Sequence, residues 1–187
     1  ERLMLSFKLG EKYFRMKKTL TLLALTISFS MNAQISTDGT NNSGTVASAM
    51  GGGTTASGTV STAMGGGTTA SGYASTAMGV STTASGTAST AMGEGTTASG
   101  YSSRAMGGYT TASGAASTAM GVSTTASDYA STVIGQYNSS GSSATSAGSF
   151  STSNTAFVIG NGTNSSNKSD AFKVMFNGDA TVSNDLT

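Results

Sequence analysis

The sequence predicts an all-β protein built as a parallel β-solenoid, in which short coils stack along one axis. Units of fourteen residues, such as the one containing "STAMGGGTTASG", repeat seven times over residues 42–139 without a slip in phase. The units are rich in Gly, Ser and Thr, which are poor helix formers, and each is too short for a helical hairpin. One unit is therefore predicted to be one coil of a β-roll of about seven coils.

The segment before the repeats predicts export. Residues 16–33 have the order of a signal peptide, with two lysines, the apolar run "TLTLLALTISF" and a small residue before the expected cleavage between Ala33 and Gln34. The apolar run is too short for a transmembrane helix. Residues 1–15 precede the apparent initiator methionine and are interpreted as an upstream extension, and residues 34–41 as a linker. The mature chain is expected outside the cell, either secreted or on the cell surface.

Within one unit, side-chain size indicates a narrow interior. Two strands of about five residues and two turns fit fourteen residues, and coils stacked about 4.8 Å apart would make a rod of roughly 34 Å. Alternation along a strand places Ser61, Ala63 and Gly65 on one face and Thr62 and Met64 on the other. The uniformly small face is predicted to line the lumen.

Two glycine positions recur in each unit, represented by Gly58 and Gly65. We expect them at corners, because glycine adopts positive φ without a steric penalty.

The methionine of each unit adds one residue to an apolar stripe along the solenoid. An exposed stripe of this kind is typical of an interface, which favours self-association. The alternative is that the methionines form the core of the single chain. Arg104 occupies the repeat position of Thr62, so the face that carries the stripe is expected to reach solvent at its edge. The predicted interface residues are Met50, Met64, Met78, Met92, Met106, Met120 and Ile134.

The pattern Ser-x-Ala-x-Gly, a turn and Ala-Ser-Gly over residues 42–139 resembles the head repeats of YadA-like trimeric autotransporter adhesins. That resemblance implies a left-handed parallel β-roll, a homotrimer with the methionine positions facing its axis, and binding to host or matrix surfaces. Residues 154–187 are similar to the segment that follows such heads in bacterial surface proteins and phage-like fibres. The sequence departs from the family in having Met where Ile or Val is common, and in having no recognisable neck, coiled-coil stalk or membrane anchor.

Residues 140–187 change character. A Ser-rich stretch precedes "AFVIG" and "AFKVMF", which read as strands separated by turn sequences. Terminal repeats of a solenoid need an atypical cap, so this region is predicted to be irregular coils followed by a β cap. The last residues, "ATVSNDLT", stop within an apparent strand, which indicates a truncated chain.

Composition argues against an enzyme. The sequence contains no His and no Cys, and its carboxylates are scattered, so it predicts no catalytic, cofactor or metal site. Most cations precede residue 19, and from Gln34 onward the net charge is −3. We therefore expect neither a nucleic-acid partner nor a membrane span in the mature chain.

Large side chains that vary between coils are the candidate ligand surface. Aromatic residues are disproportionately energetic in contacts, so a host or matrix protein or a glycan is the expected ligand. The candidates are Tyr73, Tyr101, Tyr109, Tyr129 and Tyr137.

Three functions fit these features. The first is an adhesive head, the second is a structural spacer of a surface or phage-like fibre, and the third is an ice- or carbohydrate-binding solenoid. The third depends on outward rows of hydroxyl groups from Thr54, Thr68, Thr82, Thr96, Thr110 and Thr124.

Overall fold

The computed structural model describes residues 39–183, which form a parallel β-solenoid with no helix among them. The predicted extension, the signal peptide with its cleavage position and most of the 34–41 linker lie outside the described residues. Among residues 39–183 no helix is long and apolar enough to span a membrane.

Each coil contributes one long and one short strand. The long strands of the repeats are β1 (Ser48–Met50), β3 (Thr62–Gly66), β5 (Thr76–Val80), β7 (Thr90–Glu94), β9 (Arg104–Gly108), β11 (Thr118–Val122) and β13 (Thr132–Gln136). The short strands are β2 (Thr55–Ala56), β4 (Thr69–Ala70), β6 (Thr83–Ala84), β8 (Thr97–Ala98), β10 (Thr111–Ala112) and β12 (Thr125–Ala126). The C-terminal strands are β14 (Thr155–Asn161), β15 (Asp170–Met175) and β16 (Ala180–Val182).

The strands form two sheets in which neighbours are one repeat apart. The long strands and the C-terminal strands make a ten-stranded sheet, and the short strands make a six-stranded sheet. Thr62 pairs with Thr76, and Met64 with Met78, in a parallel register of fourteen residues. One unit is therefore one coil, as predicted. The described chain makes about six full coils, fewer than predicted, because the seventh unit supplies β13 but no short strand.

The short strands have two residues, so the prediction of two five-residue strands is wrong. The backbone turns on both sides of each short strand. Gly67 and Ala74 adopt left-handed φ values of 62° and 51°, which extended strands cannot include. The second turn is closed by Ser75, whose hydroxyl donates to the Gly72 carbonyl oxygen at 2.7 Å.

The lumen is filled by small side chains, which confirms the predicted narrow interior. Two alanines per coil are buried, represented by Ala63 and Ala70, and so are Ser61 and Thr68. The buried apolar residues reach the size of Val only at Val133 and Val158, where the repeats end.

Gly65 has the positive φ that was expected, but it lies within β3 and not at a corner. Gly65 is exposed rather than in the lumen, because its φ of 122° interrupts the alternation of the strand. A Cβ atom at Gly65 would also collide with the carbonyl oxygen of Gly79 in the next coil. Gly58 is not among the residues with positive φ, and it is buried where its Cα faces the carbonyl oxygen of Gly72. Glycine at position 58 is therefore needed for close packing between coils and not for a left-handed corner.

Asn138 ends the six-stranded sheet. It occupies the repeat position of Thr124, and its side-chain amide takes the place of the backbone of a further coil. Its Oδ1 atom accepts a hydrogen bond from the Thr125 N–H at 2.8 Å, and its Nδ2 atom donates to the Thr125 carbonyl oxygen at 2.9 Å. The edge of β12 is thus satisfied although no short strand follows it.

Asp128 ends a row of packed glycines. It stands fourteen residues after Gly114, and its buried carboxylate accepts backbone N–H bonds from the segment that follows the repeats. The donors are Thr145 at 2.6 Å, Thr155 at 2.8 Å and Ser146 at 3.3 Å. The carbonyl oxygen of Asp128 still packs against Gly114, but the Cβ atom of Asp128 blocks an equally close approach by a further coil. The next coil is replaced here by a chain segment bound to this carboxylate.

The C-terminal strands extend only the ten-stranded sheet. β14 continues the parallel register on β13, with Val158 beside Val133, and β15 and β16 are antiparallel. The Asp170 carboxylate accepts backbone N–H bonds from Ser139 and Ser140, both at 2.8 Å, and fastens this end to the last coil.

Replacing Asp128 should loosen the end of the solenoid. Asp128→Ala removes the acceptor of three backbone N–H groups, one of them on buried Thr155, and should lower the free energy of unfolding by about 1–3 kcal/mol. Asp179→Ala, which removes an exposed carboxylate, should change it by less than about 0.5 kcal/mol. Urea denaturation measures both variants. Equal effects would show that the Asp128 bonds do not hold the cap.

Candidate functional site

The predicted methionine stripe lies on the outside of the ten-stranded sheet. We call it the Met column, comprising Met50, Met64, Met78, Met92, Met106, Met120 and Ile134. Its residues stand beside one another in the strand register, and Met50 and Met92 are 39% and 37% exposed while the others are half-buried. The alternative that the methionines form the core of the single chain is wrong, because alanines fill the lumen.

The apolar column continues past the repeats into the C-terminal strands. Ile159 pairs with Ile134, Phe172 with Ile159, and Val182 with Phe172. Sequence reasoning missed this continuation because the fourteen-residue period is interrupted before β14. A signal was available, since the letters "VIG" occur at both 133–135 and 158–160.

Two further positions flank the Met column on the same strands. One lies two residues before each methionine and is usually Thr, but Arg104 in β9. The other lies two residues after it and varies, with Val80 at 55% exposure, Val122 at 45% and the exposed Glu94. Glu94 and Arg104 are the only charged residues between 39 and 127. The apolar surface is thus wider than the methionines alone and carries one charge on each side.

Glu94 is held by a tyrosine of the next coil. The Tyr109 hydroxyl donates a hydrogen bond to the Glu94 carboxylate at 2.9 Å. That hydrogen bond, followed by the negative charge of Glu94 and then partial desolvation, raises the pKa of Tyr109 above its ordinary value. The carboxylate is therefore positioned beside the corner that ends β7.

The five candidate tyrosines fall into two rows at different corners of the coil. Tyr73, Tyr101 and Tyr129 follow the short strands, whereas Tyr109 and Tyr137 follow the long strands. The side chain of Tyr101 is 65% exposed, but Tyr129 is half-buried beside the Ser-rich segment after the repeats. The structure therefore does not bring the five rings together into one surface.

The threonine row expected to bind ice or carbohydrate faces the lumen. Thr68 and its equivalents have no exposed surface. The left-handed corner at Gly67 reverses the side on which the next residue points, so Thr69 and its equivalents lie outside instead. The prediction that this row presents its hydroxyl groups to a ligand is therefore wrong. The row comprises Thr54, Thr68, Thr82, Thr96, Thr110 and Thr124.

Within residues 39–183 no three His, Cys, Asp or Glu side chains come together in a group that could hold a metal ion. The large side chains that recur on the outside of the repeats are instead those of the Met column, the flanking valines and the two tyrosine rows. A thin solenoid of stacked, nearly identical coils belongs to the class of repeat proteins, in which each repeat contacts only its neighbours.

Comparison with known families gives a more specific assignment. The family model described as the YadA head domain repeat matches residues 58–82, 70–96, 84–110 and 112–138. These matches cover less than half of the chain, and they show that the repeats of residues 58–138 are similar to YadA head domain repeats. No curated protein and no solved structure matches the chain.

The matched family is one of adhesin-like structural domains and is not an enzyme family. YadA-like heads are typically trimeric and belong to surface-exposed adhesins. These are properties of the family. A partly exposed apolar column is the kind of surface at which copies of a chain associate.

The substitution Glu94→Gln should lower the pKa of Tyr109 towards its ordinary value. A neutral amide does not oppose formation of the phenolate by its charge and accepts a weaker hydrogen bond. A pH titration followed by NMR of ring-labelled tyrosine measures the shift, with Tyr109→Phe used to assign the resonance. A midpoint that does not move would contradict the contact between the two side chains.

Proposed function

We propose that this chain is the exported head or fibre segment of a trimeric autotransporter-like bacterial adhesin. In this proposal the coils form a left-handed β-roll, and three copies associate through the Met column. The assembled head attaches to host, matrix or other cell surfaces. The observation that carries the proposal is the partly exposed Met column on a segment matched by the YadA head repeat.

Energetics support self-association. The lumen buries mainly alanine methyl groups, and each square ångström of buried apolar surface contributes only about 25 cal/mol. Further apolar area is available only outside, where methionines and flanking valines lie in one strip. Copies that pack on this strip would bury its apolar area. That burial would offset the backbone entropy lost on folding, which the thin lumen alone offsets poorly.

The repetitive exterior supports attachment. A trimer presents every exposed tyrosine three times, and linked weak contacts give an avidity that exceeds each single affinity. Tyrosine offers a large apolar ring and a polar hydroxyl, which suits both protein and glycan ligands. Tyr73, Tyr101 and Tyr109 are the most exposed of the candidates. The signal peptide expected at residues 16–33 would deliver this surface to the cell exterior.

A second candidate is a structural spacer without a ligand of its own. It is favoured by the separation of the tyrosines into two rows at different corners, since no single patch collects them. In this function the regular coils would hold a further domain away from the cell.

Removing two tyrosines from one row should reduce attachment without disturbing the solenoid. Beads coated with the protein should adhere to cultured epithelial cells, a collagen surface or a glycan array. Tyr73→Ser with Tyr101→Ser, or Tyr109→Ser with Tyr137→Ser, should lower that adhesion, because interface energy concentrates in aromatic residues. Bead counts under flow measure the effect.

Thr59→Ser with Thr87→Ser is the matched control, since both residues are exposed at the corner that carries Tyr73. The control variant should adhere like the parent protein. Adhesion that survives both tyrosine variants would remove the rings from the ligand surface. No adhesion of the parent to any of the three surfaces would favour the spacer.

A further inference from the structure

We propose that Arg104 of one copy pairs with Glu94 of the neighbouring copy, and that this ion pair fixes the axial register of the assembled solenoid. The inference rests on the proposed self-association through the Met column. The binding partner is a second copy of this chain. The ion pair selects one alignment of the two copies among several of nearly equal energy.

A repetitive solenoid has a register problem. Successive coils are almost identical, and the methionines stand in register from strand to strand. Sliding one copy past another by one coil, about 4.8 Å, places methionine against methionine again. Packing of the Met column therefore does not by itself determine which coils meet.

The two charges can mark one alignment because they break the repeat only once each. Arg104 replaces the threonine found at that position in neighbouring coils, and Glu94 occupies a position that is Val80 and Gly108 in the adjoining strands. Both charged side chains are exposed. Each marks a single height along the solenoid.

The two charges lie on opposite flanks of the Met column. Arg104 precedes Met106 by two residues and pairs in register with Thr90, whereas Glu94 ends the strand that Thr90 begins. Four residues along the strand and one step across the sheet separate their Cα atoms by about 14 Å. This separation exceeds the reach of an ion pair within one chain for side chains that project from the sheet.

Symmetry brings opposite flanks together. In a ring of parallel copies around an axis along the Met column, the interface is heterologous, so the leading flank of one copy meets the trailing flank of the next. The Arg104 flank of each copy then faces the Glu94 flank of its neighbour, with the charges one strand apart in height. An arginine side chain is long enough to span that step.

The contacts that Arg104 and Glu94 make within one chain leave both side chains able to form the ion pair between copies. The Arg104 guanidinium donates one long hydrogen bond, at 3.4 Å, to the carbonyl oxygen of Ser102 in its own chain. The Tyr109 hydroxyl holds the Glu94 carboxylate at the flank and leaves acceptor positions free, because a carboxylate accepts about four hydrogen bonds. Charges at the margin of an interface contribute more to specificity than to affinity, which is what register selection requires.

Engineered cysteines test the register directly, since the sequence contains none. In the variant Val80→Cys with Thr90→Cys, which keeps both charges, the cysteines hold the same relative positions as Glu94 and Arg104 one coil earlier. Their intrachain separation of about 14 Å is too great for a disulfide, so oxidation should link copies. The matched variant Val80→Cys with Thr118→Cys also keeps both charges and puts the second cysteine in the column of Arg104, two strands after Thr90. It should form several-fold fewer links on non-reducing gels, whereas equal linking would show that no register is selected.

Charge reversal tests the pair itself. Arg104→Glu alone or Glu94→Arg alone would place like charges together and should raise the concentration needed for assembly by about tenfold. The double reversal should restore assembly, which a loss of local structure would not allow. Sedimentation velocity over a range of concentrations measures all three variants, and Tyr109→Phe controls for the lost tyrosine bond.

Comparing the assembly of the parent protein with that of Met92→Asp separates the ion pair from the proposed self-association through the Met column. Assembly of the parent that Met92→Asp abolishes supports the Met column as the interface. If both single reversals then assemble like the parent, the register pair is wrong and self-association stands. A parent that stays monomeric overturns both.

Discussion

The close approach of the two sheets in each coil is the constraint on which the rest of the structure depends. Fourteen residues make a coil so flat that Ala, Ser and Thr fill its lumen, with glycine where adjacent coils meet. The same few small residues must therefore return in every unit, and the repetition of the sequence is a packing requirement. Larger interior residues, Val133 and Val158, occur only where the regular coils end.

That constraint also determines what the outside must do. With no room inside, bulky side chains are restricted to the outer face and the corners, where they form the Met column, its flanking valines and two tyrosine rows. Repetition extends these surfaces along the solenoid, but it also makes successive coils present nearly the same surface. The departures from the repeat therefore carry the specific information. Asp128 ends the row of packed glycines, Asn138 ends the six-stranded sheet, and Glu94 and Arg104 each mark a single height along the solenoid.

The period, the parallel register and the small lumen could be predicted from the sequence, because alternation along a strand and exact tandem repetition are local patterns. The outward position of the Met column followed from the size of its neighbours. Positive φ was expected at Gly65, but its position within β3 was not, because glycine alone does not show where a corner falls. The left-handed corner at Gly67 was also not predicted, and it shortened one strand and turned the Thr68 row inward. The capping by Asp128 and Asn138 depends on which coil is missing, so only the structure shows it, although a lone Asp in a glycine row was visible.

Thermal unfolding of two neighbouring substitutions in β8 tests the narrow lumen most directly. Ala98 has no exposed surface, whereas Thr97 lies outside on the sheet that is remote from the Met column. Ala98→Leu should destabilise the protein by about 1–3 kcal/mol or more through overpacking, and its melting temperature should fall clearly. Thr97→Leu should stay within about 0.5 kcal/mol of the parent. Equal melting temperatures for the two variants would contradict a lumen that excludes larger side chains.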